Sequence, residues 1–302
     1  MPAINQFTFL PMSKKKRHHI LPQRYQKGFA GSDGFVWYYD RRRGIIACEN
    51  PLNVAVETNF YTSESAGSEN PAIMEDVLAE HVEAPFWPVL DKLEKIPIQI
   101  PTGAERERII VFAAFLFTRV SVFREAITKV LADVTLRFKS KNSTANSLNS
   151  LPEGTTTAFI PAIIPKNYAL HQMGQIGIEA SKILMTFNTH VMFSAPNEPF
   201  ITSDNPFVFD QMVKVDEPPS ISATSFLKWV PLSAKVAVGF GLPGNHMLFS
   251  KMDEKQVWNA NVRFAAAARQ IVIAKSREQL EKLLATFPKE APKPASGFPS
   301  AI

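Results

Sequence analysis

Apolar and polar positions alternate with different periods along the chain, giving strands near both ends and helices between them. His18 and His19 lie just ahead of Pro22, which disfavours helix before it, so they are expected on extended backbone. Residues 25–29 read as a short helix or turn, and Ser32-Asp33-Gly34 as a turn signal. Residues 35–41 are aromatic and β-branched and read as a strand. Arg42 to Gly44 then closes a hairpin whose second arm is 45–48, and 54–56 adds a short extended piece. Asn70-Pro71 with Glu75 marks a helix start, predicting a helix over 72–82 that Pro85 and Pro88 interrupt before 89–96. Thr102 and Glu105 have capping-box spacing. From there to about Lys139 the helical period predicts one long helix, burying Phe112, Phe115, Leu116, Val120 and Phe123.

Residues 140–157 are rich in Ser, Thr and Asn and read as an exposed loop, after which helical spacing returns over 168–187. The last third predicts short strands at 191–194, 200–202, 207–209, 228–230 and 236–240. A helix at 253–269, a strand at 271–274 and a helix at 277–285 follow. Neither a repeat nor strict βαβ alternation is visible. The expected fold is α+β: a helical middle with a long central helix, and short antiparallel strands from the N-terminal hairpin and the C-terminal third. The expected organisation is a basic arm over 1–17, a single α+β domain over 18–287 and a flexible Pro-rich tail over 288–302.

Composition narrows the class. With 45% hydrophobic and 20% charged residues, the 302-residue chain has the balance of a globular protein able to bury its own core. The single cysteine, Cys48, excludes an internal disulfide and a multi-cysteine zinc site, and reads as a packing residue. The first residues lack the basic-then-apolar order of a secretory signal. The most apolar stretch, 109–123, contains Arg119 and is too short to span a bilayer. A cytoplasmic protein without a membrane partner is therefore expected. Net charge is +5, yet residues 13–43 hold nine basic side chains against two acidic ones. This excess makes nucleic acid a candidate partner, with Lys15, Arg17 and Arg24 as candidate binding residues; a solvated arm that contacts nothing is the alternative.

Four residues carry candidate chemistry. His19 can act as a general base or metal ligand, or bond a turn structurally; His18 reads as a flanking arm residue. Glu57 can ligate a metal or pair with an arginine. Arg119 sits in an apolar helical run, where a guanidinium needs a carboxylate such as Glu57 or Glu83, carbonyls, or a bound anion. Asp204, with Asn205 as a candidate binding neighbour, stands before Pro206 in either an Asx turn or a substrate site. Glycine-rich phosphate loops and serine-hydrolase elbows are absent. His-His-Ile-x-Pro followed by a strand pair is only a weak match to a ββα-metal nuclease, with Asn53 and a distant His81 as the remaining positions.

Several of these segments together resemble one family, the bacterial domain of unknown function 4238. They are His19-Ile20-Leu21-Pro22-Gln23 with Tyr25 and Phe29, the strand Val36 to Asp40, and Glu57-Thr58-Asn59-Phe60-Tyr61-Thr62. The Arg119 helix, Phe200-Ile201-Thr202-Ser203-Asp204-Asn205-Pro206, Pro231-Leu232-Ser233, and Asn259 to Ala267 with the strand after it complete the order. The resemblance implies little about mechanism. On the residues themselves, the leading expectation is a phosphodiester hydrolase, most simply a nuclease. His19, Glu57 and Asp204 would serve as bases or as ligands of a divalent metal ion, with Arg119 balancing phosphate charge. The alternative is a non-enzymatic module that binds nucleic acid or protein through the basic arm and the aromatics Trp37, Tyr38 and Tyr39. All four residues are expected in one cleft between the hairpin and the C-terminal strands.

Overall fold

Two reciprocal capping boxes set where major helices begin. The Glu105 N–H donates to the Thr102 hydroxyl at 3.3 Å while the Thr102 N–H donates to the Glu105 carboxylate at 2.7 Å. Asp253 and Gln256 repeat the exchange at 2.8 and 3.0 Å. The structure is a computed structural model and describes residues 17–58, 60, 73–130, 160–209 and 228–286. The basic arm up to residue 16, with Lys15, lies outside the described residues, as do the helix start at Asn70-Pro71, the 140–157 loop and the tail 288–302.

The described helices are α1 (Gln23–Lys27), α2 (Ile73–Leu78), α3 (Ala84–Leu93), α4 (Gly103–Thr118), α5 (121–130), α6 (Ile160–Met185), α7 (Glu254–Ala267) and α8 (Arg277–Thr286). A π turn, Ala79–Glu83, joins α2 to α3. The strands are β1 (Arg17–His19), β2 (Val36–Asp40), β3 (Ile45–Glu49), β4 (Val56–Thr58), β5 (Phe187–Phe193), β6 (Thr202–Ser203), β7 (Val208–Phe209), β8 (Lys228–Pro231), β9 (Val236–Pro243), β10 (Met247–Lys251) and β11 (Ile271–Ala274). Strands β1 and β4 form a two-stranded ribbon. The hairpin β2–β3 joins C-terminal strands in an antiparallel sheet ordered β3-β2-β11-β6. A second sheet is ordered β10-β5-β9-β8-β7, with β10 parallel to β5 and the rest antiparallel. The fold is thus α+β.

One long central helix is not what forms. Helix α4 stops at Thr118, and Arg119 takes φ −83° and ψ −3° as its C-cap. The chain bends through Val120, whose carbonyl accepts from the Phe123 and Arg124 N–H groups as α5 begins. Apolar periodicity carries across the bend because both helices bury the same side of the chain: Phe112, Leu116, Val120 and Phe123 are buried, and Phe115 is half-buried. The expected interruption at Pro85 and Pro88 does not occur either. Pro85 falls in the first turn of α3, where its missing N–H costs little, and the π turn before it closes with the Ala84 N–H on the Ala79 carbonyl.

The core builds outward from Phe112. Phe86 stacks on it with centroids 3.8 Å apart, and Trp87 and Tyr25 pack at 5.2 and 6.0 Å. Burial pushes the Tyr25 phenol well above its ordinary range, so the neutral hydroxyl is available to bond. It bonds the Thr202 hydroxyl at 2.7 Å and the Pro231 carbonyl at 2.8 Å, tying α1 to β6 and β8. Helix α6 approaches α4 closely at Gly177, where a Cβ would stand 2.7 Å from the Phe115 ring. Among the described residues, no helix is long and apolar enough to cross a membrane.

Candidate functional site

The β1–β4 ribbon decides which side chains meet. Its register pairs Arg17 with Thr58, His18 with Glu57 and His19 with Val56. Opposed residues share a face and successive residues alternate, so Glu57 shares its face with His18, whereas Arg17 and His19 lie on the other. His18 is fully buried, with Nε2 3.9 Å from a Glu75 carboxylate oxygen of α2. This corrects its reading as a flanking arm residue.

Local bonds explain why two such short strands hold. The Gln26 amide donates to the Leu21 carbonyl at 3.0 Å and the Val54 carbonyl at 3.1 Å. The Ile20 N–H donates to the Ala55 carbonyl at 3.0 Å. Ala55 is buried at φ +50°, a left-handed conformation that costs a residue with a Cβ about 1–3 kcal/mol. Strain therefore sits at the entry to β4, one residue from the ribbon.

His19 is half-buried. Its Nε2 lies 3.2 Å from the Leu52 carbonyl. A carbonyl only accepts, so Nε2 carries the proton and Nδ1 is the basic nitrogen. Burial lowers the His19 pKa below its ordinary 6.5; Arg119 and Arg17 add to this, while the Leu52 carbonyl and Glu75 pull the other way. Arg17, on the same face, donates to Asn53 Oδ1 at 3.4 Å.

On the opposite face, Glu57 is gripped from α5. Ser121 donates a short hydrogen bond to one carboxylate oxygen, and Arg124 donates to the other at 3.1 Å. Arg124 also donates to the Phe60 carbonyl at 3.0 Å and lies 3.9 Å over the Phe60 ring. Arg119 turns to the π turn: its Nη1 donates to Glu83 Oε1 at 2.6 Å and its Nη2 to the His19 carbonyl at 3.2 Å. The bend between α4 and α5 lets Arg119, Ser121 and Arg124 reach the ribbon together. One continuous helix would spread these three around its surface.

Asp204 works elsewhere. At the end of β6 its carboxylate accepts from the Arg269 and Gln270 N–H groups, each at 2.8 Å, and its own N–H donates to the Ile271 carbonyl at 3.0 Å. Asn205 donates to the Ala267 carbonyl at 3.1 Å. Arg41 donates to the Ala265 and Ala268 carbonyls, both at 2.7 Å. Together they tie the turn from α7 into β11. Burial pushes the Asp204 carboxyl above its usual value, against the pull of those N–H groups and Arg41. None of the hydrogen bonds described for Asp204 runs to His19, Glu57 or Arg119. The link is Arg269, which pairs with Glu125 of α5 at 2.5 Å and lies within charge range of both Asp204 and Glu57.

The structure thus gathers His18, His19, Glu57 and Arg119 around one ribbon, on two faces, and leaves Asp204 and Asn205 in a neighbouring brace. Ser121, Arg124 and Arg269 were not singled out in the sequence. Their roles depend on the bend and on a loop beyond α7, neither of which has a local signature. Of the basic candidates, Arg24 is bound by both Asp91 oxygens at 2.8 and 3.0 Å and lies over Trp87. A metal does not fit the donors as arranged: Glu57 and Glu83 hold guanidinium groups and Asp204 holds backbone N–H groups. Among the described residues, no three His, Cys, Asp or Glu side chains form a group that could hold one. His81 is exposed on the π turn, outside any such group.

An α+β fold with a partly buried charged network around a short histidine ribbon defines the structural class. The chain belongs to the family described as protein of unknown function (DUF4238), whose model matches residues 17–278. Neither the curated proteins nor the solved structures yielded a match.

Proposed function

We propose that the ribbon carries an acid–base site for phosphodiester hydrolysis, with His19 Nδ1 as general base and Arg17 as the cation that receives phosphate. The observation that carries this reading is the state of His19: half-buried, its Nε2 proton fixed on the Leu52 carbonyl, its basicity lowered towards a free imidazole near neutral pH. Arg17 supports it, being exposed on the same face two residues away. Arg119 then serves as a positioning residue, since its guanidinium holds the His19 carbonyl and not a substrate. Glu57, bound to Ser121 and Arg124, holds the ribbon against α5.

The test is cleavage of a labelled oligonucleotide and of bis(4-nitrophenyl) phosphate, with chelator present. His19→Gln keeps an N–H for the Leu52 carbonyl and removes the basic nitrogen. A loss of about 100-fold or more with an unchanged melting temperature is expected. Wild-type protein that cleaves neither substrate overturns the reading. A second reading, a non-enzymatic nucleic-acid or protein binding module, is favoured by one observation: Glu57, Arg119 and Asp204 each have internal partners. It predicts salt-dependent oligonucleotide binding without cleavage, unaffected by His19→Gln.

A further inference from the structure

The turn after β3 touches both groups of the proposed site. The Asn50 N–H donates to Glu49 Oε1 at 2.8 Å, the Leu52 N–H to Asn50 Oδ1 at 2.9 Å, and the Asn53 N–H to the Asn50 carbonyl at 2.8 Å. So closed, the turn sends the Leu52 carbonyl to His19 Nε2 and the Asn53 side chain to Arg17. Arg17 and His19 stand two residues apart on one face of β1, about 7 Å along the strand.

What lies at each end of the Asn53 amide fixes its polarity. Its Nδ2 donates to Glu49 Oε1 at 3.2 Å, and its Oδ1 accepts from Arg17 Nη2 at 3.4 Å. A carboxylate only accepts and a guanidinium only donates, so the reversed amide would lose both bonds. Glu49 is ionised at neutral pH, because the Asn50 N–H and the Asn53 amide hold its carboxyl below the usual range. The relay from Glu49 through Asn53 to Arg17 therefore runs in one sense, and it tethers a side chain that is otherwise exposed. The Nε and Nη1 donors of Arg17 have no partner among the described residues.

The neighbouring charges narrow what Arg17 can receive. Arg119 pairs with Glu83, Arg124 with Glu57 and Arg269 with Glu125. Arg17 has no carboxylate partner among the described residues, so it is the uncommitted cation of the His19 face. One cation matches the single negative charge of a phosphodiester and undercompensates the nearly doubled charge of a monoester.

We infer that Asn53, locked by Glu49, is a positioning residue that aims Arg17 at a singly charged phosphodiester beside His19. This rests on the hydrolytic reading above.

Kinetics with bis(4-nitrophenyl) phosphate and 4-nitrophenyl phosphate, together with proton–nitrogen NMR of the Arg17 Nε–H group, test it. Asn53→Ala should raise KM for the diester about fivefold while kcat stays within about twofold and the melting temperature is unchanged. Glu49→Ala, which leaves Asn53 in place but unlocked, should move KM the same way and less. In both variants the Arg17 Nε nuclear Overhauser effect should fall towards that of a freely rotating side chain, while His19 keeps its tautomer. Wild type should prefer the diester to the monoester in kcat/KM. An unchanged KM, or an Arg17 side chain as ordered in Asn53→Ala as in wild type, overturns the inference. So does a monoester cleaved as well as the diester. If wild type cleaves neither substrate, the hydrolytic reading falls, and the NMR comparison by itself still decides whether Asn53 holds Arg17.

Discussion

Replacing Arg119 by methionine removes a charge while keeping most of the side-chain length. The guanidinium is 4% exposed and its partner Glu83 16% exposed, with 2.6 Å between them. Removing one member of such a pair strands the other in a medium that solvates it poorly, at a cost of about 3–5 kcal/mol. The bond to the His19 carbonyl is lost as well, worth about 0.5–1.5 kcal/mol. Residual access of water to Glu83 lowers the first figure, so the combined loss is expected at about 3–5 kcal/mol. Urea unfolding followed by circular dichroism at neutral pH reads it directly, provided the slope with urea is unchanged. Changing Glu83 to methionine in the same chain should recover much of the loss, because the pair is then replaced by apolar volume. A loss of less than about 1 kcal/mol for Arg119→Met would place the pair among exposed ion pairs and refute its role as the post between the π turn and β1.

Three further outcomes follow from the same structure. Leu116→Ala, at a site 1% exposed, should cost about 2–5 kcal/mol in the same urea assay; a value near zero would mean that the core is misplaced. Asp204→Asn exchanges an acceptor oxygen for a donor opposite the Arg269 and Gln270 N–H groups, and should cost about 1–3 kcal/mol without altering any hydrolysis. Burial holds His19 below 6.5 in the fold, so as pH falls through 6.5 towards that lower value the unfolded chain binds more protons and stability declines. Unfolding at pH 7 and pH 5 should show His19→Gln with a shallower decline than wild type; His190, also lowered by burial, keeps part of the slope in both.

The elements with local signatures were legible in the sequence. Thr102 and Glu105 marked the start of α4, and aromatic alternation around the Arg42–Gly44 turn marked the hairpin β2–β3. What failed was set by tertiary contacts. The bend at Arg119 leaves apolar periodicity intact on both sides, so the pattern alone reads through it. Strand β10 was missed because its residues are half-exposed and pair with only one neighbour, so neither alternation nor a buried run distinguishes it. For the site, the residue types were legible but their grouping was not. His19 and Glu57 were singled out as partners, yet the register of two three-residue strands puts His18 opposite Glu57. Such a register is fixed by Gln26 and the strained Ala55, contacts that no sequence period encodes.

The proposed site requires that His19 present a basic Nδ1 at neutral pH. Two-dimensional proton–nitrogen NMR of the imidazole rings, assigned with His19→Gln and followed through a pH titration, tests it without any substrate. His19 is expected as the Nε2–H tautomer with a midpoint below 6.5. An Nδ1–H tautomer, or a midpoint at or above 6.5, would contradict it.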